Sequence, residues 1–387
     1  GRNNSARYFD LDTRMVVLDL EVLVSGPVVA EMQQGFDRFW ADPLAVPPRY
    51  TRRVNRQLLE SSPQRVDLTR SARLQAKKQS LSDGGWLQRL LTEQSYSVDS
   101  VSYFSDVPAD RPLWDDPPDQ DSTSVIHGLI EGAERDVVIQ SPYIVLSRRF
   151  TRLLEDLDRG VQLTISSNSL ASTDAFPVYA VSRKQRTLLL ERLGARFFEL
   201  KPFPEDREEF VPRNQSLIAE RAAGIVTPMR GDVALPTRDM PGPRLSLHGK
   251  LIVVDERYAI VTSHNLDPRS ESWNTENGIL VDDPEFAAAL LRYVERIIDA
   301  ENSWVSALQP TSGGLLSSIN RVGAGVSRKL PILDLWPDYR FEQYDLGRSG
   351  QPDEAEPVGL SPEVVAWQRR WITAIVSRMM GFLRPIL

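Results

Sequence analysis

The 387-residue chain contains no cysteine and only three histidines. Without cysteine it has no disulfide framework, and its histidines do not have metal-ligand spacing, so we expect neither a metal nor another cofactor. No uninterrupted apolar run is long enough for a transmembrane helix. The net charge is -7, and the 46 Lys and Arg residues are scattered along the chain. Because a nuclease is expected to show a basic footprint, this composition disfavours nucleic acid as the partner.

One short segment carries most of the chemical information. Residues 248–255 have the pattern H-x-K-x(4)-D, formed by His248, Lys250 and Asp255, and Ser263 and Asn265 follow soon after. We predict a buried strand over 245–254, a turn, and a return strand over 258–262. Side chains on a strand alternate between its faces, so His248 and Lys250 should point the same way, toward the end of the return strand. An imidazole, an ammonium, a hydroxyl and an amide suit a phosphodiester.

The other polar residues near the motif give weaker signals. Glu276 precedes a predicted apolar strand, and a carboxylate there can fix the tautomer of an imidazole. The turn position of Asp255 favours a structural role. His264 lies beside the site but favours a packing or surface role, and His127, in a predicted helix, is interpreted as structural. An H-x-K alone arises by chance, whereas the longer string with S-x-N and N-T-E does not readily do so.

This set of motifs resembles the phospholipase D superfamily, and most closely the bacterial cardiolipin synthases. The resemblance implies phosphatidyl transfer through a phosphohistidine, with phosphatidylglycerol or a similar phospholipid as substrate. It also implies that His248 is the general acid and base, with its tautomer fixed by Glu276, and that the motif aspartate lies away from the phosphate. The phosphate oxygens would be held by Lys250, Ser263 and Asn265. Thr262 stands where the family usually has Gly, and it would narrow the pocket.

The first residues resemble the end of the superfamily's first motif region. The chain starts Gly1-Arg2-Asn3, which is similar to the family's G-G-R-N, and residues 18–22 resemble its D-L-D-V strand. By this match Asn3 would donate to the phosphate, and Glu21 would orient the histidine of the first motif. The first H-x-K is not in the chain. We therefore expect either a fragment that lacks its N-terminal half or a chain that pairs with a second copy, and we expect the fragment alone to be nearly inactive.

The alternation of strands and helices after residue 120 predicts an α/β fold, with the phospholipase D-like mixed sheet flanked by helices. We predict a complete second half over 121–310, preceded by a C-terminal remnant of the first half (1–45) and a connector (46–120), and followed by a linker (311–360). Within the second half, Pro-rich residues 202–244 form a long loop and possible lid. Tyr143, Asn168 and Ser169 lie at strand ends, where such folds bind ligands. They also match the family's P-Y-F and N-S-L motifs.

Residues 361–387 predict a basic amphipathic helix. Ser361 can cap its N-terminus, Trp367 and Trp371 lie among its apolar residues, and arginines are interspersed. Such a helix can lie on an anionic membrane surface, although it could also dock on the protein itself. With the resemblance, this predicts a peripheral protein of the bacterial inner membrane. Three functions stay open: a phosphatidyltransferase or phospholipase, a phosphodiesterase acting on nucleic acid, and a non-catalytic lipid-binding or scaffold protein.

Overall fold

A computed structural model describes residues 2–47, 79, 82, 85, 88, 91–92, 95–98, 100–107, 121–224, 242–308 and 341–346. The strands are β1 Met15–Leu18, β2 Ser100–Ser105, β3 Asp136–Gln140, β4 Gln162–Asn168, β5 Arg196–Leu200, β6 Arg244–Leu247, β7 Leu251–Val254, β8 Tyr258–Thr262, β9 Asn277–Asp282, β10 Ser303–Leu308 and β11 Phe341–Tyr344. The α-helices are α1 Val28–Ala41, α2 Asp121–Glu131, α3 Arg148–Asp156, α4 Phe176–Lys184, α5 Arg207–Phe210, α6 Asn214–Ala222, α7 Pro268–Ser272 and α8 Pro284–Ile298. A 3-10 turn covers Ala6–Phe9 and a π-helical turn covers Leu188–Arg192.

Nine strands form one mixed sheet in the order β11-β10-β5-β4-β3-β7-β8-β9-β2. The β3–β4 and β4–β5 pairs are parallel, and the other pairs are antiparallel. A separate two-stranded sheet pairs β1 with β6 in parallel, with Leu18 opposite Leu247. The predicted α/β fold with a mixed, helix-flanked sheet is confirmed.

Helices cover both faces of the large sheet. On one face, α2 and α3 contribute Ile126, Ile130 and Phe150 to a buried cluster with Ile139 and Ile165 of the central strands. On the other face, α8 buries Ala287, Leu290, Val294 and Ile297. The 3,4,3 spacing of these four residues places them on one side of a helix. Strand β7 is apolar and buried throughout because both of its faces are covered.

Local sequence signals explain where several elements begin and turn. The carboxylate of Asp283 accepts the backbone N–H of Phe286 and caps α8, and Pro284 occupies its first turn. Asp255 and Glu256 both have φ of 54° and form the turn between β7 and β8. This is the predicted hairpin. Within the described residues, no helix combines the length and the apolarity needed to cross a bilayer.

Four predicted elements differ from the structure. The strand predicted over 245–254 is broken at 248–250, because β6 pairs with β1 while β7 pairs with β3 and β8. The predicted loop over 202–244 contains α5, α6 and the start of β6. Strand β11 lies inside the predicted linker 311–360, where it pairs with β10. The sequence of residues 179–192 predicts one continuous helix, but in the structure α4 ends at Lys184 and a π-helical turn follows from Leu188.

Two predicted regions fall largely or wholly on residues that the structure does not describe. The connector over 46–120 is described only at 46–47, at 79, 82, 85, 88, 91–92 and 95–98, and over 100–107. The amphipathic helix predicted over 361–387 lies entirely outside the described residues. Both remain predictions.

Candidate active site

The break between β6 and β7 lies at one edge of the large sheet. Gln140, at the end of β3, is opposite Leu251, at the start of β7. The residues that follow β3 and β4 therefore lie beside His248, Gly249 and Lys250. The end of β8 joins the same edge, since the backbone N–H of Thr262 donates to the carbonyl of Lys250 at 3.2 Å. Ends of three strands thus bring the polar residues of distant segments together.

The His248 imidazole is buried and contacts a carboxylate from the first segment of the chain. Its Nδ1 lies 2.8 Å from Oδ2 of Asp19, and the side chain of Asp19 is 2% exposed. An ionised carboxylate only accepts hydrogen bonds, so Nδ1 carries the proton and Nε2 is the nitrogen available for chemistry. Burial by itself would raise the pKa of Asp19. The hydrogen bond with His248 and the charges of His248 and Lys250 outweigh it, so that pKa lies below its usual value.

Lys250 brings a positive charge against the same ring. Its Nζ lies 2.9 Å from Nδ1 and 3.1 Å from Nε2 of His248, and it donates to the His248 carbonyl at 2.6 Å. Burial lowers the pKa of Lys250 to about 8, although the charges of Asp19 and Glu276 raise it. The amine is still mostly protonated at neutral pH and supplies a desolvated cation.

An aromatic residue closes one side of the imidazole. Tyr8 meets the ring of His248 edge-on, with the ring centroids 5.1 Å apart. The hydroxyl of Tyr8 accepts a hydrogen bond from the amide of Asn3 at 3.0 Å. Burial raises the pKa of Tyr8 to about 12. Asn3, predicted to donate a hydrogen bond to the phosphate, therefore lies close to the site. Its described side-chain hydrogen bond goes to Tyr8.

A second carboxylate stands at the end of β8, and it is fixed by its own neighbours. Oε2 of Glu276 accepts from Ser263 Oγ at 2.5 Å, and Oε1 accepts from Ser270 and Asn274 at 2.7 and 3.1 Å. Oδ1 of Asn265 is buried without a hydrogen-bond partner among the described residues. Ser263, Asn265 and Glu276 thus form a polar group at the end of β8 that adjoins Lys250.

The orienting carboxylate of His248 is Asp19, and the predicted assignment to Glu276 is wrong. Glu21, predicted to orient the other histidine, pairs at 3.1 Å with Arg2, and its side chain is 48% exposed. A repeat in the sequence could have indicated Asp19. Asp19 stands eight residues before Pro27, as Glu276 stands eight residues before Pro284, and each proline lies at the start of a helix.

The strand-end residues have different surroundings from those predicted. Asn168 and Ser169 are buried, and their side chains bond to Leu247, Ser172 and Pro142 within the protein. The hydroxyl of Tyr143 donates to Asp174 at 2.8 Å. Burial and the charge of Asp174 raise the pKa of Tyr143. Asp174 is exposed, so the Tyr143–Asp174 pair reaches solvent, whereas Asn168 and Ser169 do not.

Asp255 is not part of the site. It directly follows the far end of β7, roughly 16 Å from Lys250 along the strand direction. Its carboxylate accepts the backbone N–H groups of Glu134, Arg135 and Asp136 at 2.7–3.2 Å and so anchors the start of β3. The sequence motif would group Asp255 with the catalytic His248 and Lys250, but these contacts agree with the structural role that its turn position favours.

The remaining residues near the motif pack within the protein. His264 is buried beside Thr123, and burial lowers its pKa to about 4. His127 meets Phe150 edge-on, with centroids 5.2 Å apart. The hydroxyl of Thr262 donates to the carbonyl of Asn277, so this side chain ties β8 to β9. The hydroxyl of Thr262 is thus bonded to Asn277, and the expected narrowing of the pocket by this residue stays a prediction.

A cavity of about 750 Å³ adjoins Asp19 and Tyr8. Its lining combines three arginines, Arg2, Arg292 and Arg296, with acidic and aromatic side chains. Within the described part of the chain, no group of three or more His, Asp or Glu residues is placed to hold a metal ion.

Residues 126–298 match the family model described as "Cardiolipin synthase, PLD-like domain". The chain is 27% identical over 289 residues to an uncharacterized protein of Helicobacter pylori (strain ATCC 700392 / 26695). It is 26% identical over 326 residues to cardiolipin synthase C of Escherichia coli (strain K12). These alignments cover 74% and 78% of this chain but 52% and 59% of the two relatives. The chain thus spans about half the length of the curated relatives it matches.

Two solved structures show a distant similarity. Phosphatidylserine synthase of Haemophilus influenzae Rd KW20 is 17% identical, with a TM-score of 0.39 over 72% of this chain and 54% of that chain. Nuc from Salmonella typhimurium, described as a phospholipase D family member, is 14% identical, with a TM-score of 0.32 over 52% and 95%.

Proposed function

Since the chain belongs to the phospholipase D superfamily, we propose that it is the His248-bearing half of a phosphatidyltransferase similar to cardiolipin synthase. The observation that supports this most is the arrangement at His248. A buried carboxylate lies 2.8 Å from Nδ1, and a buried ammonium lies within 3.1 Å of Nε2. One carboxylate fixes the tautomer while the ammonium neutralises a phosphate oxygen, which is what phosphodiester transfer requires.

In the proposed mechanism, His248 is the general acid and base. The cycle starts with His248 protonated on both nitrogens, its Nδ1–H held by Asp19. A second histidine attacks phosphorus, the bond from phosphorus to the leaving alcohol breaks, and Nε2 of His248 gives that alcohol its proton, which leaves His248 neutral. An incoming alcohol, or water, then loses its proton to Nε2. Its oxygen bonds to phosphorus as the phosphorus–nitrogen bond breaks. Lys250, Ser263 and Asn265 hold the non-bridging oxygens, and Asn3 contributes from the opposite side.

We propose that the second histidine comes from another phospholipase D-like half. Glu276 occupies the same place relative to Pro284 as Asp19 does relative to Pro27, so it is our candidate for orienting that histidine. Its fixation by Ser263, Ser270 and Asn274 supports such a role. Of the other histidines in the chain, His127 and His264 are buried in packing positions.

The exposed side of α1 supports the same proposal. Residues 29, 32, 36 and 39 repeat the 3,4,3 spacing by which α8 covers its sheet. Yet Val29, Phe36 and Phe39 are 44%, 57% and 41% exposed. Exposed apolar surfaces of this kind usually face a partner. A sheet from the other half would cover α1 as the large sheet covers α8.

The proposed substrate is phosphatidylglycerol or a similar phospholipid, reached by a protein that binds the membrane peripherally through residues 361–387. The cardiolipin synthase C among the similar proteins supports a phospholipid substrate. A phosphodiesterase acting on nucleic acid is the alternative, and it would show DNA cleavage that weakens steeply with salt. A non-catalytic lipid-binding protein is the third hypothesis.

The test compares this chain with one extended upstream through a first H-x-K motif. Each is incubated with phosphatidylglycerol vesicles, and lipid products and free glycerol are resolved. We expect cardiolipin and glycerol from the extended chain, little or none from the 387-residue chain, and loss of turnover in the extended His248→Ala variant. His127→Gln, which alters a histidine outside the site, is the matched control. Full turnover by His248→Ala would overturn the mechanism, and activity of the 387-residue chain would favour a self-pairing dimer.

A further inference from the structure

The backbone immediately before His248 is held by a single buried side chain. Leu247 is the last residue of β6, and on one side β6 pairs with β1. Its other side meets Asn168, at the end of β4. Oδ1 of Asn168 accepts the N–H of Leu247 at 2.8 Å, and Nδ2 donates to the Leu247 carbonyl, also at 2.8 Å. The amide of Asn168 thus takes the place of a strand beside β6.

The peptide that joins Leu247 to His248 is fixed at both of its polar atoms. Its carbonyl oxygen accepts from Asn168, while its N–H, which belongs to His248, donates to the carbonyl of Leu18 at 2.7 Å. Leu18 directly precedes Asp19, the carboxylate that bonds to the imidazole. A rotation of this peptide would turn the Cα–Cβ bond of His248 and move Nδ1 away from Asp19.

Asn168 is itself held in one orientation. Its Oδ1 also accepts from Ser172 Oγ at 3.1 Å, and its Nδ2 also lies 3.4 Å from the Pro142 carbonyl. All four hydrogen-bonding positions of the amide are therefore used, and the side chain is only 2% exposed. The orientation follows from the partners, because the Leu247 N–H needs an acceptor and its carbonyl needs a donor.

We propose that Asn168 is a positioning residue for His248: its amide brackets Leu247 and thereby holds the imidazole against Asp19. The side chain then acts through the backbone and does not touch the phosphate, in contrast to its predicted role in substrate binding. The inference rests on the proposed role of His248, but the geometry that it concerns exists without turnover.

The test uses the proton on Nδ1 of His248 in the 387-residue chain. A proton in a short imidazole–carboxylate hydrogen bond gives a proton resonance far downfield of ordinary ring N–H groups. His248→Ala identifies that signal, because only three histidines are present. We expect Asn168→Ala to lose the signal, or to broaden it through exchange with water, while the chain stays folded by circular dichroism.

Asn302→Ala is the matched control for lost stability. Asn302 is also buried, and its amide bonds to Asp206 and to the Arg296 carbonyl rather than to Leu247 or His248. We expect this variant to unfold at a lower urea concentration, as Asn168→Ala does, and to keep the downfield signal. If Asn168→Ala does not fold, Asn168→Ser serves instead, since one hydroxyl cannot bracket both atoms of Leu247.

The signal retained at full intensity in a folded Asn168 variant would overturn the positioning role and leave the proposed transferase function intact. Loss of the signal in both Asn168→Ala and Asn302→Ala would also overturn it, because the effect would then follow stability alone. Loss in the Asn168 variant only would support it. Failure of the phosphatidylglycerol assay is a separate outcome, which concerns the proposed function and does not change this signal.

Discussion

At the scale of a single residue, the burial of Lys250 makes the stability of the protein depend on pH. Its pKa is about 8 in the folded chain and 10.5 when unperturbed. Between these values the unfolded chain holds a proton that the folded chain has released, so the unfolding free energy rises with pH. We expect the unfolding free energy of the wild type, measured relative to that of Lys250→Met, to rise by about 3 kcal/mol from pH 7 to pH 10.5. Urea unfolding at several pH values measures it, and a difference that stays constant would contradict the burial of the amine.

The pKa of Asp255 is lowered as well, but here the fold stabilises the charged form of the side chain rather than the neutral one. Burial alone would raise its pKa, but the backbone N–H groups of Glu134, Arg135 and Asp136 outweigh burial, and the pKa lies below 3.8. Its contribution to stability is therefore present above the unfolded value and is lost as the pH falls through the lower folded value. We expect Asp255→Asn to lower the unfolding free energy by about 1–2 kcal/mol at pH 6, since the carboxylate is partly exposed.

The same comparison at pH 2–3 should show little difference between Asp255→Asn and the wild type. Glu256→Gln is the control, because Glu256 is exposed and only 3.9 Å from Arg135 in a surface ion pair. We expect that variant to change stability by less than about 0.5 kcal/mol at either pH. A pH-independent loss in Asp255→Asn would show that its carboxylate charge is unimportant.

At the scale of elements, Glu199 joins the strands at one end of the large sheet. It lies on β5 and pairs at 2.9 Å with Arg186, and both side chains are at most 1% exposed. It also accepts from Ser306 on β10 and from Gln343 on β11. Arg186 in turn lies over the ring of Phe197, 3.3 Å from its centroid. This edge of the sheet is thus assembled around one buried charge pair.

We expect Glu199→Gln to lower the unfolding free energy by about 3–5 kcal/mol, because it leaves the Arg186 charge buried without its counter-ion. Asp282→Asn breaks the exposed pair with Arg257 and should cost less than about 1 kcal/mol. Urea unfolding of the two variants beside the wild type measures both effects. Equal losses in the two variants would contradict the importance of burial.

Elements set by local sequence could be predicted, whereas those set by distant partners could not. The β7–β8 hairpin can be predicted because two apolar runs and the turn between them are adjacent in the chain. The break at His248 was missed because it depends on β1, whose residues pair with β6 from more than 200 positions away. Asp19 was missed for the same reason, since the motif itself does not reveal a carboxylate from another segment. Asn168 was recognised as part of the site, but its role depends on the backbone of Leu247.

At the scale of the whole molecule, the uneven distribution of charge predicts where the chain contacts an anionic membrane. The net charge is -7, whereas residues 361–387 contain four arginines with no acidic residue after Glu363. We expect the chain to float with vesicles containing anionic lipid, and a chain ending at Leu360 to bind them at least ten-fold more weakly, at roughly 1 kcal/mol for each arginine. Vesicles of neutral phosphatidylcholine are the control. Equal binding by both chains would contradict the proposed membrane contact.

Asp19 and His248 are 229 positions apart in the chain. At a synthesis rate of about 5–20 residues per second, roughly 10–45 s separate their appearance on the ribosome. Strand β1 emerges with Asp19, and its partner β6 emerges just before His248, so the strand spends that interval unpaired. The hydrogen bond between the two side chains therefore forms only after β1 to β6 and His248 itself have been translated, and it is absent from any shorter nascent chain.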